Sequence, residues 1–185
     1  MEKLFENILD KDEKIEKVFK PQKAKFFFSV FLYWGITFLF FALVGVFAVL
    51  FPDEGMEVEL VYLLIPIGIW IALMLLAFLF AWIYYKNIYF AYTNKRIIIR
   101  SGIFGVDFKS LDMSMIGAVN VYVSLIDKLV HKNTGSISFG STASPIGYNQ
   151  SSAAAYKFSH IANPYETYKE IKSFIDEYKK HMKDK

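Results

Sequence analysis

Two long uncharged stretches constrain this chain more than any other feature of its sequence. Residues 26–51 and residues 60–85 each run for 26 positions without Asp, Glu, Lys, Arg or His. As α-helices rising about 1.5 Å per residue, each would reach ~39 Å, which exceeds the ~30 Å hydrocarbon core of a bilayer. The rest of the chain is too short to bury two helices that are apolar on every face. The sequence therefore predicts a two-helix transmembrane hairpin at residues 26–85.

The distribution of basic residues predicts the orientation of this hairpin. Seven lysines precede the first stretch: Lys3, Lys11, Lys14, Lys17, Lys20, Lys23 and Lys25. The connection at residues 52–59 contains four acidic residues and no basic one, whereas Lys86, Lys95 and Arg96 follow the second stretch. Short segments rich in Lys and Arg remain in the cytoplasm. We therefore expect a multi-pass protein of the cell (plasma) membrane with both termini in the cytoplasm.

The two stretches have the character of an anchor. Neither contains a charged side chain, and such groups normally carry or compensate charge in pumps and ion-coupled transporters. The glycines of the stretches form no GxxxG pattern. The sequence thus predicts contact with the lipid bilayer and leaves homo-oligomer formation open.

Residues 1–25 form a separate cytoplasmic segment with apolar residues at near-helical spacing. These residues are Leu4, Phe5, Ile8, Leu9, Ile15, Val18 and Phe19. The spacing predicts an amphipathic helix that ends at Pro21, lying either on the inner leaflet or against the cytoplasmic domain.

Beyond residue 85 the pattern changes to the alternation of half-buried strands. Residues 87–93 and 97–100 flank a tight turn and predict a hairpin, followed by strands at 104–109, 119–123, 136–139 and 155–161. A short helix is predicted at residues 124–130, and residues 141–155 are predicted to form a long loop.

The C-terminal helix has a clear start at Asn163-Pro164-Tyr165-Glu166, with Asn as N-cap, Pro at the first helical position and Glu placed for a capping box. Its apolar stripe must cover part of the sheet. About seven short strands followed by one helix are the order of a pleckstrin-homology-like (PH-like) antiparallel β-barrel or sandwich. The predicted fold class is therefore a membrane α-helical hairpin plus an α+β cytoplasmic domain at residues 86–185.

Three motifs, taken in order, resemble the bacterial pleckstrin-homology family, formerly a domain of unknown function. The string Tyr92-Thr93-Asn94-Lys95-Arg96-Ile97-Ile98-Ile99-Arg100-Ser101-Gly102 resembles the family's opening hairpin. Residues 123–129 with Gly135-Ser136-Ile137 are similar to its short helix and glycine-led strand, and Asn163-Pro164 to its final cap. The resemblance covers residues 86–178, and two preceding transmembrane helices are common in the family. It implies a membrane-tethered interaction module without an assigned catalytic role.

No constellation for catalysis, a cofactor or a metal is found in the sequence. His131, His160 and His181 share no ligand spacing, and cysteine is absent. Asp107 and Asp112 are five residues apart, which places them on opposite faces of a continuous strand. GxSxG, HExxH and phosphate-loop motifs are also absent. We therefore expect no enzyme activity, no cofactor and no metal.

The C-terminal domain is basic, with 14 Lys plus Arg against 8 Asp plus Glu at residues 86–185. A basic face beside anionic lipid gains roughly 1 kcal/mol per residue that reaches the surface. The candidate lipid or partner contacts are Lys95, Arg96, Arg100 and Lys109; ordinary solvated charges are the alternative. A nucleic-acid partner is not expected, because the aromatic and basic pattern of an RNA-recognition motif is absent.

These features predict a membrane-anchored interaction or scaffolding protein that binds a protein partner, whose identity is unknown, or inner-leaflet headgroups. The alternative is an accessory subunit of a transporter or membrane enzyme complex. Residues 141–155 match nothing in the resembled family, so a partner preference private to this chain is predicted to lie there.

Overall fold

The computed structural model describes residues 2–51, 60–129, 133–141 and 156–184. These residues form two compact units, one made of residues 1–25 together with 84–185 and the other of residues 26–83. In chain order the main elements are β1 (Ile15–Phe19), α1 (Lys23–Leu50), α2 (Leu60–Asn87), β2 (Tyr89–Thr93), β3 (Arg96–Ser101), β4 (Asp107–Asp112), β5 (Ile116–Tyr122), α3 (Leu125–Leu129), β6 (Thr134–Ser141), β7 (Tyr156–Ala162) and α4 (Pro164–Lys183).

The two predicted apolar helices form the second unit. Both α1 and α2 are long and apolar enough to cross a membrane by length and composition. Aromatic rings join them, with Trp70 of α2 at 6.0 Å from Trp34 and 4.8 Å from Phe38, centroid to centroid. Most of their remaining apolar side chains are exposed. In water that exposure would be unfavourable, so these surfaces are suited to an apolar environment.

The N-terminal segment differs from the predicted amphipathic helix. It consists of two short 3-10 turns, at Glu2–Leu4 and Glu6–Ile8, followed by strand β1. Strand β1 pairs antiparallel with β2, placing Phe19 opposite Phe90 and Val18 opposite Ala91. The helix prediction was wrong because the backbone groups of these residues bond to a strand about 70 positions away, which helical spacing cannot reveal. The alternative that this segment packs on the C-terminal domain is confirmed, but as a strand.

The described residues of the first unit form seven strands in two antiparallel sheets. The four-stranded sheet has the order β1-β2-β3-β4, and the three-stranded sheet has the order β5-β6-β7. The predicted hairpin at residues 87–100 is confirmed by the pairing of β2 with β3. Strands β2 to β7 follow the two apolar helices in the sequence, and β1 precedes them. The helices α1 and α2 are therefore inserted between the first and second strands of one domain.

Each face of the four-stranded sheet is covered. On the inner face Phe90, Ile97 and Ile99 join Phe139 and Phe158 of the three-stranded sheet in the main core. On the outer face Ala91 and Ile98 are buried under Phe5 of the N-terminal segment, which is itself fully buried. The isoleucines of β3 therefore alternate between two cores, as the period of a strand requires.

The third predicted strand begins later than expected. It was placed at residues 104–109, but β4 starts at Asp107 and Phe104 lies in the preceding loop. The reason is a tight turn at Gly102, which has φ 145° and whose Cβ, if present, would overlap the carbonyl oxygen of Gly105. The predicted strands at 119–123, 136–139 and 155–161 correspond to β5, β6 and β7. The predicted loop at 141–155 lies, apart from its first residue, outside the described residues.

Helix α4 starts where predicted, but its cap is built differently. Pro164 occupies the first turn, and Asn163 has left-handed backbone angles, φ 49° and ψ 58°, with no capping hydrogen bond from its side chain. Its Oδ1 instead accepts a hydrogen bond from Asn133 Nδ2 at 3.1 Å. Asn tolerates this conformation better than most residues. The predicted apolar stripe is confirmed by the burial of Ile171 and Ile175 in the main core.

Candidate functional site

The structure does not gather the four predicted contact residues into one surface. Lys95 and Arg96 lie at the turn between β2 and β3, whereas Arg100 lies at the other end of β3. Lys109 lies on β4 opposite Ile99. Since opposite residues share a face and neighbours alternate, Lys109 projects from the face opposite to that of Arg96 and Arg100. Contact of these residues with lipid or a partner stays a prediction.

Arg96 is committed to a contact within the domain. Its Nε donates to Glu13 Oε1 at 3.0 Å, and its terminal nitrogen donates to Glu13 Oε2 at 2.8 Å and to the carbonyl oxygen of Ile8 at 2.7 Å. Thr93 Oγ1 also donates to Glu13 Oε1 at 2.7 Å. This bidentate pair joins the N-terminal segment to the β2–β3 turn, so Arg96 is a less suitable headgroup ligand than its position in the sequence suggested.

The pKa values of both partners respond to this contact. Burial alone would raise the pKa of Glu13, but hydrogen bonds from Arg96 and Thr93 hold it below its ordinary value. The hydrogen bond to Glu13 raises the pKa of Arg96 above its usual value. Both groups are therefore charged at neutral pH, and the contact is an ion pair.

Replacing Glu13 by Gln is expected to lower the free energy of unfolding of the domain by about 1–3 kcal/mol, because a charge-assisted bidentate contact becomes a neutral one. Hydrogen exchange of the β1 and β2 amides in the full chain measures this change. The matched control is Asp10→Asn, which removes an exposed pair with Lys95 at 3.4 Å and is expected to cost less than ~1 kcal/mol. Equal effects of the two substitutions would contradict the assigned role of Glu13.

A second group of polar side chains surrounds Tyr89, next to the end of α2. We call Lys20, Tyr85, Asn87, Tyr89 and Arg100 the Tyr89 cluster. Lys20 Nζ donates to the Tyr89 hydroxyl at 3.0 Å and lies 4.4 Å from the centroid of its ring. Arg100 lies 5.6 Å from the same centroid and donates to the carbonyl oxygen of Asn87 at 3.1 Å. Two cations thus lie against one aromatic ring.

The Tyr89 cluster has unused capacity for an anion. Arg100 Nε is buried and has no hydrogen-bond partner within the described residues. Guanidinium, ammonium and phenol groups are the donors that bind phosphate oxygens in proteins. Sequence reasoning selected Arg100 but missed Lys20 and Tyr89. The sequence signal that could have identified them is their position: Lys20 lies shortly before the first apolar stretch, and Tyr89 lies shortly after the second.

The two histidines that the structure describes do not form a metal site. His160 lies on β7 with φ 55°, and burial holds its pKa below the usual range. His181 is exposed, 3.8 Å from Glu177, and His131 lies outside the described residues. Within residues 2–51, 60–129, 133–141 and 156–184, no three His, Asp or Glu side chains are grouped so that they could hold a metal ion.

Sheets of four and three antiparallel strands followed by a C-terminal helix define the class of PH-like domains. The family model described as "Bacterial PH domain" matches residues 30–175, and the chain belongs to this family. The predicted resemblance and the predicted fold class are thereby confirmed. Domains of this class are generally without catalytic activity. Searches of curated proteins and of solved structures found no match.

Proposed function

We propose that this protein is a membrane-anchored interaction module without catalytic activity. Its PH-like domain binds a protein partner or anionic headgroups at the cytoplasmic face of the plasma membrane. The helices α1 and α2 cross the bilayer and hold the domain there.

The observation that carries this proposal is the pairing of β1 with β2 on either side of the helices. Two strands of one sheet lie on the same side of any membrane, so a hairpin between them enters and returns. The acidic connection at residues 52–59 and the lysine-rich flanks support the cytoplasmic side for the domain.

The domain is attached to the membrane at two points of the chain, so even a weak affinity for a membrane ligand is sufficient for binding. A domain fixed to the inner leaflet has a high effective concentration towards any ligand in or on the same membrane. Residues 86–185 have a net charge of +6 and therefore attract anionic lipid. At physiological salt this attraction falls off within about 10 Å. A domain held next to the surface experiences this attraction at all times, whereas a free domain experiences it only when it reaches the membrane.

Affinity purification of the full chain from mild detergent, followed by mass spectrometry, tests the proposal. The matched control is residues 20–88 alone, which keeps both helices and lacks both sheets. Proteins recovered with the full chain but not with the control support a module that binds through its PH-like domain. A stoichiometric polytopic protein recovered with both would favour an accessory subunit of a transporter or membrane enzyme.

The proposed binding of anionic headgroups is tested by a separate measurement. Residues 1–25 joined by a linker to residues 84–185 should bind phosphatidylglycerol vesicles in a manner that weakens with salt and should not bind phosphatidylcholine vesicles. Binding of neither vesicle nor protein would overturn the proposed function.

A further inference from the structure

The loop between β3 and β4 carries an unusually exposed aromatic side chain. Phe104 is 90% exposed, the highest value among the large apolar side chains that the structure describes, and its neighbours Ile103 and Val106 are 39% and 42% exposed. A short loop with three apolar side chains at the surface is unfavourable in water. It is suited to a site where an apolar phase covers it.

The shape of this loop is fixed by the fold. Gly102 has φ 145°, a backbone angle that residues with a Cβ rarely adopt. The backbone of Gly105 lies so close to Gly102 that it leaves no room for a Cβ there. Asn87 Nδ2 donates to the carbonyl oxygen of Gly102 at 3.1 Å. The apolar side chains are therefore presented on a constrained turn, which reduces the conformational entropy lost when they become buried.

The position of the loop identifies the phase that can cover it. Asn87, which binds the loop, is the last residue of α2 and follows the second uncharged stretch by two positions. Lys20 and Arg100 of the Tyr89 cluster lie against the ring of Tyr89. Aromatic rings and cations are typical of the headgroup layer of a bilayer. The acidic residue nearest to this loop along the chain is Asp107, at the start of β4.

We propose that residues 102–106 form an apolar finger that inserts Ile103 and Phe104 into the boundary between headgroups and acyl chains of the inner leaflet. Lys20 and Arg100 then face lipid phosphates. The finger is a third attachment to the membrane, in addition to α1 and α2, and restricts rotation of the domain about its two covalent connections. The inference rests on the proposed membrane anchoring and deepens it.

The absence of cysteine from the sequence permits a direct test in the full chain. Phe104→Cys, Ser114→Cys and Leu76→Cys are each labelled with an environment-sensitive fluorophore and reconstituted into vesicles of phosphatidylcholine and phosphatidylglycerol. Ser114 is exposed and lies past the far end of β4, and Leu76 lies within α2. Quenching by iodide reports water, and quenching by spin-labelled phosphatidylcholine reports lipid.

The label at residue 104 should emit at shorter wavelength than the label at residue 114, be quenched several-fold less by iodide and be quenched by the spin-labelled lipid. Equal quenching profiles at residues 104 and 114 would overturn the finger, as would protection from both quenchers at residue 104. The label at residue 76 separates the two hypotheses. If it reports lipid while residue 104 reports water, only the finger fails; if it reports water, the anchoring and the finger fail together. Ile103→Cys repeats the measurement should Phe104→Cys not fold.

Discussion

Residues 1–25 joined through a short flexible linker to residues 84–185 are expected to form a folded domain in solution, whereas residues 86–185 alone are expected to remain unfolded. The first protein contains the seven strands of the described residues, and the second lacks β1 and the N-terminal cover of the outer face. Dispersion of the amide signals in an NMR spectrum distinguishes the two results.

The size of the effect follows from what residues 1–25 bury. Phe5 is fully buried, and such a side chain contributes about 1.5–3 kcal/mol to stability. Deletion also removes the ladder between β1 and β2 and the ion pair of Glu13 with Arg96. Together these losses approach the ~5–15 kcal/mol that keeps an ordinary domain folded.

The linker itself is not expected to oppose folding. Tyr85 donates a hydrogen bond to the carbonyl oxygen of Pro21 at 3.0 Å, so the two parts of the chain already meet near the cut. A flexible linker of about ten residues spans roughly 17 Å on average. The matched control keeps the linker and replaces residues 15–19 by Gly and Ser. A folded control, or a folded fragment 86–185, would show that β1 is dispensable.

Replacing Asp127 by Asn is expected to destabilise the joined domain by about 3–5 kcal/mol, because it neutralises one partner of a buried ion pair and keeps the charge of the other, Lys25. The two side chains are 3% and 8% exposed, and Lys25 Nζ lies 2.9 Å from Asp127 Oδ1. Asp127 also accepts hydrogen bonds from the hydroxyl groups of Ser124 and Thr134. Urea unfolding of the joined domain measures the change.

Two controls separate burial from charge in this experiment. Lys17→Met breaks the exposed pair with Glu170, whose side chains are 47% and 38% exposed, and should cost less than ~1 kcal/mol. Lys25→Met combined with Asp127→Asn should be more stable than Asp127→Asn alone, since both charges of the buried pair are then removed together. A double variant at least as unstable as Asp127→Asn would contradict the assigned ion pair.

The same carboxylate predicts a dependence of stability on acid pH. Burial alone would raise the pKa of Asp127, but hydrogen bonds from Ser124, Lys25 and Thr134 lower it to about 2 from an ordinary value of 3.8. A pKa that is lower in the folded state stabilises the fold above pH ~4 and loses that contribution as the pH falls from about 4 to about 2. The stability difference between the wild-type domain and Asp127→Asn should therefore shrink by about 2 kcal/mol over this range. A stability difference that stays constant between about pH 4 and about pH 2 would contradict the lowered pKa of Asp127.

The parts of the fold that were predictable from sequence are those specified by neighbouring residues. The alternation around Thr93-Asn94-Lys95-Arg96 contains both strands of a hairpin and the turn between them, and the antiparallel pairing of β2 with β3 is as predicted. Pro164 and the apolar stripe of α4 are likewise local signals. The uncharged stretches depend only on composition, and helices α1 and α2 lie where those stretches predict them.

The parts that were not predictable depend on residues far apart in the chain. The apolar spacing of residues 4–19 fits a helix, but Val18 and Phe19 pair with a strand beyond both long helices. Arg96 is a surface cation by sequence, and only the fold brings Glu13 to it. Lys20 and Arg100 are 80 positions apart yet lie against the same ring of Tyr89. Tertiary pairing overrides local propensity in each case.

Labelling from one side of the membrane shows whether residues 1–25 and residues 84–185 lie together in the cytoplasm. Single-cysteine variants Lys11→Cys, Asp53→Cys and Asp184→Cys of the full chain are treated with a membrane-impermeant maleimide, first in intact cells and then after permeabilisation. We expect labelling of residue 53 in intact cells and of residues 11 and 184 only after permeabilisation. Labelling of residue 11 or residue 184 in intact cells would contradict this expectation, because β1 and the strands that follow α2 could not then form one cytoplasmic domain.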